Sequence, residues 1–196
     1  GISWFWTVGV VLLTFITPLA LTFLGGTGAL ASALLGVFSV GIAVGSLLCS
    51  RSLKGEITPR PVPFAGLAVS ALLVIFALAV AALPSPPSLG RPLGEVLAEP
   101  ATMGIVAVLF GLAVAAGFYA VPLFAILQHS APEDAKARTI GANNIVNALM
   151  MVAGSVGVAV LSSGLGLSLP AMILILAALN LVAAVMAVRL LSRLVL

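Results

Sequence analysis

Polar side chains inside apolar stretches are the residues of this chain best suited to bind a ligand. Asn143 and Asn147 are four residues apart and would share a helix face, while Asn144 lies within reach of Asn147. Tyr119, on the preceding stretch, adds a hydroxyl. An unpaired amide in hydrocarbon is costly, so these side chains must face protein, water or a ligand. Two interpretations stay open: hydrogen bonds between helices, or the lining of a substrate site.

Two prolines are candidate hinges. Pro18 precedes a leucine near the end of the first apolar stretch, and Pro122 does the same near the end of the fourth. Each proline removes a backbone hydrogen bond and favours a kink. Because these stretches would run in opposite directions, the kinks would fall in opposite leaflets, as an inverted repeat requires. Harmless kinking is the alternative, since proline is tolerated in membrane helices.

Acid–base and metal chemistry have little support in the sequence. All five Asp and Glu residues lie outside the apolar stretches, which argues against a carboxylate proton relay. The only histidine, His129, stands beside Ser130 at the end of a stretch, and no GxSxG-like motif accompanies it. Met150 and Met151 are predicted to pack, as is Cys49, the one cysteine. We therefore predict no enzymatic activity, no metal and no cofactor.

The composition places the chain in a membrane. It is 62% hydrophobic and 7% charged, with a mean hydropathy of +1.34, far outside the range of soluble domains. Its apolar surface should therefore contact membrane lipids. The net charge of +3 comes from scattered basic residues that form no contiguous face, so we predict no nucleic-acid partner. The chain enters an apolar stretch directly after Gly1, which fits neither a signal peptide nor an intact start, so we expect a piece of a longer polypeptide.

Six apolar runs predict an all-α domain of six transmembrane helices covering residues 1–196. We place them near residues 2–24, 29–50, 61–83, 100–128, 140–161 and 168–193. Pro61 and Pro63 suit the first turn of the third helix. The SAPE sequence at 130–133 has capping-box spacing, which predicts a helix start before the fifth span. The segment 84–99 is rich in Pro, Ser and Gly, and most of it should lack regular structure.

Two local patterns predict how the helices are placed. Gly41 and Gly45 form a GxxxG pair, which lets a neighbouring helix approach backbone to backbone. Trp4 and Trp6 stand at the start of the first span, where tryptophans usually anchor a helix at the headgroup level.

Basic residues indicate the orientation. With both ends on one side of the membrane, seven of the eight basic residues fall on that side and only Arg91 on the other. The seven are Arg51, Lys54, Arg60, Lys136, Arg138, Arg189 and Arg193. The positive-inside rule therefore places both ends in the cytoplasm.

Four runs together resemble the bacterial lysophospholipid transporter family of the major facilitator superfamily. They are SWFW at 3–6, FSVGIAVGSL at 38–47, GFYAVPL at 117–123 and ANNIVNA at 142–148. The resemblance covers nearly the whole chain and matches the C-terminal six-helix half of that family. The segment 45–55 is similar to the signature loop of the superfamily, but has Cys49 and Ser50 in place of the usual acidic–basic pair.

The resemblance implies a fold and an activity. The fold would be half of a twelve-helix facilitator, built as two inverted three-helix repeats, with the N-terminal six-helix half absent. The activity would be movement of lysophospholipid, chiefly lysophosphatidylethanolamine, across the bacterial inner membrane for re-acylation. In some bacteria such a transporter is fused to a glycerophospholipid acyltransferase and an acyl-carrier-protein synthetase, so fused enzyme domains are possible partners.

Two other functions stay open. A facilitator for another small solute or drug would ordinarily show more amides and carboxylates within its spans. A membrane domain that only anchors fused enzymes would show fewer. Within the family resemblance, Tyr119, Asn143, Asn144 and Asn147 are the candidate substrate-binding residues.

Overall fold

The computed structural model describes residues 1–85 and 88–194, and these residues form helices and connecting turns without a strand. The helices are α1 (Ile2–Pro18, continued by a π-helical turn, Leu19–Phe23), α2 (Gly28–Leu53), α3 (Pro61–Ala81), α4 (Leu93–Leu97), α5 (Pro100–Ser130), α6 (Lys136–Ala159, continued by a π-helical turn, Val160–Gly164) and α7 (Leu169–Leu194). Side chains are described as far as Arg189, so that of Arg193 lies outside the described residues.

Six of these helices are long and apolar enough to cross a membrane, which confirms the predicted number of spans. They are Ile2–Phe23, Gly28–Leu53, Pro61–Ala81, Pro100–Ser130, Glu133–Gly164 and Leu169–Arg189. Pro61 occupies the start of α3 as predicted. The first turn of a helix leaves its backbone N–H groups unpaired, and proline has no N–H to leave unpaired. The chain is therefore an all-helical transmembrane protein.

Two local predictions were wrong in part. A helical segment does begin before Ile140, with a 3₁₀ turn at Glu133–Ala135 and α6 from Lys136. Ser130 does not cap it, however, because Ser130 is the last residue of α5 and no side-chain cap precedes the turn. The segment 45–55 is not mainly a loop either. It stays helical to Leu53 and turns only at Lys54 and Gly55, both of which have positive φ.

Helices α2 and α5 meet backbone to backbone, as the GxxxG pair predicts. A Cβ added at Gly45 would overlap the carbonyl of Val114, and one added at Gly117 would lie 2.6 Å from the amide nitrogen of Ser46. Gly41 faces Ala113 in the same crossing. Lipid supplies no hydrophobic driving force between helices. Glycines let the two backbones approach closely enough for van der Waals contacts to hold the helices together.

The other close helix pairs are α3 with α5, α3 with α7, and α1 with α6. The core between them is aliphatic and includes Leu19, Leu73, Leu109 and Ile173, all fully buried. In this arrangement α3 and α5 lie centrally, and α6 packs almost entirely on α1.

Helices α1 and α6 end in the same way. In α1 the N–H of Leu24 donates to the carbonyl of Leu19 after a π-helical turn, and Gly25 follows with φ +65°. In α6 the N–H of Leu165 donates to Val160, and Gly166 again has φ +65°. Glycine takes this left-handed conformation without strain, so both helices stop sharply at the same end of the bundle.

The long connection between α3 and α5 is held against the end of α1. Its Arg91 side chain is buried and donates to the carboxylates of Glu99 and Glu95, and its backbone N–H donates to the carbonyl of Gly25 at 2.9 Å. The hydrogen bonds with Glu99 and Glu95 raise the pKa of Arg91. Val96 of the short helix α4 is fully buried in the core. The predicted lack of regular structure therefore holds for most of the described part of this connection, but α4 and these contacts order its second half.

Candidate functional site

Helix α6 carries the three predicted amides, and the structure separates them by environment. Asn147 is 5% exposed, Asn143 is half-buried, and Asn144 is exposed on another side of the helix. Oδ1 of Asn147 and Nδ2 of Asn143 are buried and have no hydrogen-bond partner among the described residues. One unpaired acceptor and one unpaired donor thus lie one helical turn apart on the same face.

Tyr119 of α5 lies against α3. It is 8% exposed and packs with Val62 and Ala65 of α3 and with Phe5 of α1. Its hydroxyl has no hydrogen bond among the described residues, and it lines a cavity of about 140 Å³ together with Trp4 and Asn180. The lining of this cavity includes none of the three α6 asparagines, and the binding role of Tyr119 stays a prediction.

Asn180 of α7 is a buried polar residue that the sequence reasoning missed. Its Oδ1 accepts from Nε1 of Trp4 at 2.9 Å. Its Nδ2 donates to the carbonyl of Gly66 at 2.9 Å and to Oγ of Ser70 at 2.8 Å. A lone amide in an aliphatic run was the available signal, and its full set of partners makes it a link between α1, α3 and α7.

The predicted anchoring role of Trp4 is wrong in this structure. Its indole N–H points inward to Asn180, so it contributes to the interior of the bundle. Trp6, in contrast, is 40% exposed and forms an edge-to-face pair with Phe5. Its position remains compatible with a headgroup-level anchor.

An apolar groove follows the same face of α6 beyond the amides. It has a volume of about 270 Å³ and lies between α1, α6 and α7. Its α6 wall runs from Met150 through Gly154 and Gly157 to Leu161, and α1 forms its floor. Met150, which was predicted to pack, lines this groove, and Met151 lines the cavity beside Tyr119.

The two candidate hinge prolines occupy different settings. Pro18 is the last residue of the α-helical part of α1 and is followed by the π-helical turn, so the helix is irregular directly after it. Pro122 is buried within α5, which continues to Ser130. Whether either proline acts as a hinge stays a prediction.

Other reactive groups are dispersed in the described part of the chain. No cluster of three or more His, Cys, Asp or Glu residues that could hold a metal ion occurs there. Cys49 is fully buried, and its sulfur lies 3.8 Å from the carbonyl oxygen of Phe118. Thr102 has a buried, unpartnered hydroxyl. On α6, unpaired buried amide atoms adjoin an apolar groove, and this combination makes them the candidate site for a ligand.

Comparisons with protein-family models, curated proteins and solved structures found no match to this chain.

Proposed function

We propose that this chain is the C-terminal six-helix half of a major facilitator transporter that moves lysophospholipid inward across the bacterial inner membrane. The proposal combines the sequence resemblance with three physical features: six spans, an unpaired donor and acceptor on α6, and an apolar groove beside them. Both ends of the chain would lie in the cytoplasm, and the transported lipid would be re-acylated there.

The helix contacts support a repeat of two three-helix units. If α1, α2 and α3 correspond to α5, α6 and α7, the close pair α2–α5 maps onto the close pair α6–α1. The pair α3–α7 maps onto itself. The extensive contact of α3 with α5 has a much weaker counterpart between α7 and α1, so the correspondence is partial. This pattern is what inverted repeats in transporters produce.

The observation that carries the proposal is the pair of unpartnered amide atoms on Asn143 and Asn147. Leaving a buried polar atom unpaired costs about 1–3 kcal/mol, so a ligand that supplies the partners gains that energy. Most of the remaining surface of α6, including Asn144, is exposed. The absent N-terminal half would pack on this exposed surface. Asn144 would then contribute from the side of that half.

The two atoms have complementary chemistry to the polar end of a lysophospholipid. Nδ2 of Asn143 donates and suits a phosphate oxygen, whereas Oδ1 of Asn147 accepts and suits the free glycerol hydroxyl. Asn143 and Asn147 are separated by about 6 Å along the helix axis. The phosphate and the free hydroxyl are carried by neighbouring glycerol carbons, so one lysophospholipid can contact both residues with its acyl chain on the Asn147 side.

Substitution by leucine separates binding from structure. Asn143→Leu and Asn147→Leu remove amide groups whose buried atoms have no partner in the described part of the chain, so thermal stability in detergent should be unchanged or higher. Uptake of labelled lysophosphatidylethanolamine by spheroplasts carrying the full-length protein should fall about five- to a hundredfold. Ser39→Leu is the control, because the Ser39 hydroxyl is exposed and bonds only to its own helix.

Equal uptake by both asparagine variants, at matched membrane abundance, would remove the amides from the binding site. Lower stability with proportionally lower uptake would mean that the amides hold helices together instead.

A further inference from the structure

We infer that the groove between α6 and α7 holds the single acyl chain of the transported lipid while the α6 amides hold its headgroup. This inference rests on the proposed function and assigns the parts of the substrate to places in the fold. It also predicts that the protein discriminates substrates by chain length and chain number.

The amides and the groove belong to one face of α6. Asn143 and Asn147 are followed at helical spacing by Met150, Gly154 and Leu161, and these last three line the groove. Residues spaced by three and four positions lie above one another on a helix. The face therefore changes from hydrogen-bonding to apolar along its length, in the same order as a headgroup and its chain.

The length of the groove suits one acyl chain. From Met150 to Leu161 the helix rises about 16 Å. One leaflet of a bilayer, half of a hydrocarbon core of about 30 Å, has nearly the same depth. An acyl chain in the groove would therefore contact protein over about the depth of one leaflet.

The wall is apolar and has space for the chain. A Cβ added at Gly157 would meet no atom within 4 Å, so the groove is open at that point. The hydroxyl of Thr7, a polar group at the wall, is already bonded to the carbonyl of Ser3 at 2.8 Å. Leu179, which is exposed, also lines the groove, so the groove reaches the surface between α6 and α7. A chain could enter there directly from the lipid.

The direction of the groove adds a constraint on the path. The groove runs from the amides away from the basic end of α6, where Lys136 and Arg138 lie. A bound lipid would thus have its headgroup nearer the basic end than its chain. A lipid in the leaflet on the basic side of the membrane has the same orientation.

Filling the groove at Gly157 tests the inference. Gly157→Leu in the full-length protein should lower spheroplast uptake of oleoyl lysophosphatidylethanolamine about tenfold or more, since each methylene that loses its contact costs roughly fourfold in affinity. Uptake of the hexanoyl analogue should stay within about twofold, because a six-carbon chain ends before Gly157, which lies about 10 Å along the helix from Met150. Gly104→Leu is the control, since an added Cβ at Gly104 also meets no atom within 4 Å, but Gly104 lies on α5 outside the groove.

Equal uptake of both chain lengths by Gly157→Leu and wild type would overturn the inference while leaving the proposed function intact. An equal loss for both lengths at matched membrane abundance would also overturn it, because the loss would then not depend on the length of the acyl chain.

Photolabelling gives a readout independent of transport. Lysophosphatidylethanolamine with a diazirine near the end of its chain should label α6 and α7 peptides that border the groove, and unlabelled lysophosphatidylethanolamine should compete. Labelling confined to other helices would contradict the assignment. So would two-chain phosphatidylethanolamine that competes as strongly as lysophosphatidylethanolamine. If wild type shows no uptake above vector, the proposed function fails, and this labelling alone decides whether the groove binds a single chain.

Discussion

The buried asparagines of this bundle fall into two groups, one with its hydrogen bonds made inside the protein and one with unpaired atoms. Asn180 has a partner for its oxygen and two for its nitrogen, so it stabilises the fold. Asn143 and Asn147 each retain a buried atom without a partner among the described residues. Unpaired amides at membrane depth are costly, so the pairing of Asn180 indicates a structural role, whereas Asn143 and Asn147 stay candidates for binding.

The α6 amides could be singled out from the sequence, whereas Asn180 could not. Three amides within five residues are conspicuous in an apolar helix, whereas Asn180 stands alone. Its partner Trp4 is 176 positions away, and only the packing of α1 against α7 brings the two together.

A matched pair of tryptophan substitutions tests the interior network. Trp4→Phe removes the donor to Asn180 and leaves a buried oxygen unpaired, so the unfolding free energy in detergent should fall by about 1–3 kcal/mol. Trp6→Phe should change it by much less, because the Trp6 ring is partly exposed and its indole N–H has no hydrogen-bond partner among the described residues. The comparison uses thermal or denaturant unfolding of the two purified variants. Similar losses in both would assign the effect to ring size and not to the hydrogen bond.

At the level of helices, glycine positions decide which elements touch. The spans were predictable because apolar runs of membrane length separate charged or proline-rich connections. The partner of the GxxxG pair could not be predicted, because Gly117 of α5 and Gly45 of α2 come together only in the folded bundle. The capping-box prediction at residues 130–133 was wrong because α5 extends to Ser130.

The α2–α5 contact should be intolerant of even a methyl group at its centre. Gly45→Ala places a Cβ against the backbone of Val114, which cannot move without shifting α5, and should destabilise the protein by about 1–3 kcal/mol. Gly36→Ala on the same helix meets no atom within 4 Å and should be neutral or slightly stabilising. Melting temperatures in detergent measure the difference. A Gly45→Ala variant as stable as Gly36→Ala would mean that α2 and α5 are not in close contact.

For the whole molecule, the distribution of charge predicts its orientation. The N-terminus of α1 and the Leu123 turn of α5 lie at one end of the bundle, and Arg91 is held against Gly25 at the other. The connections at the first end carry most of the basic residues. Positive charge on that side favours a cytoplasmic location.

Cysteine labelling tests this orientation. In a variant without Cys49, single cysteines at Ser52 and Ala137 should resist a membrane-impermeant thiol reagent in intact cells, while one at Ser88 should react. All three positions are exposed, so burial does not explain a difference among them. Permeabilised cells provide the control, in which all three should react. Reaction of the cysteine at Ser52 in intact cells would reverse the orientation.

Transport by the full-length protein tests the central claim most directly. Spheroplasts that express it should accumulate labelled lysophosphatidylethanolamine well above an empty-vector control at matched membrane integrity. Uptake should compete with unlabelled lysophosphatidylethanolamine and not with sugars. Uptake no greater than that of the vector, together with clear transport of a sugar or a drug, would contradict the account and favour a facilitator for another solute.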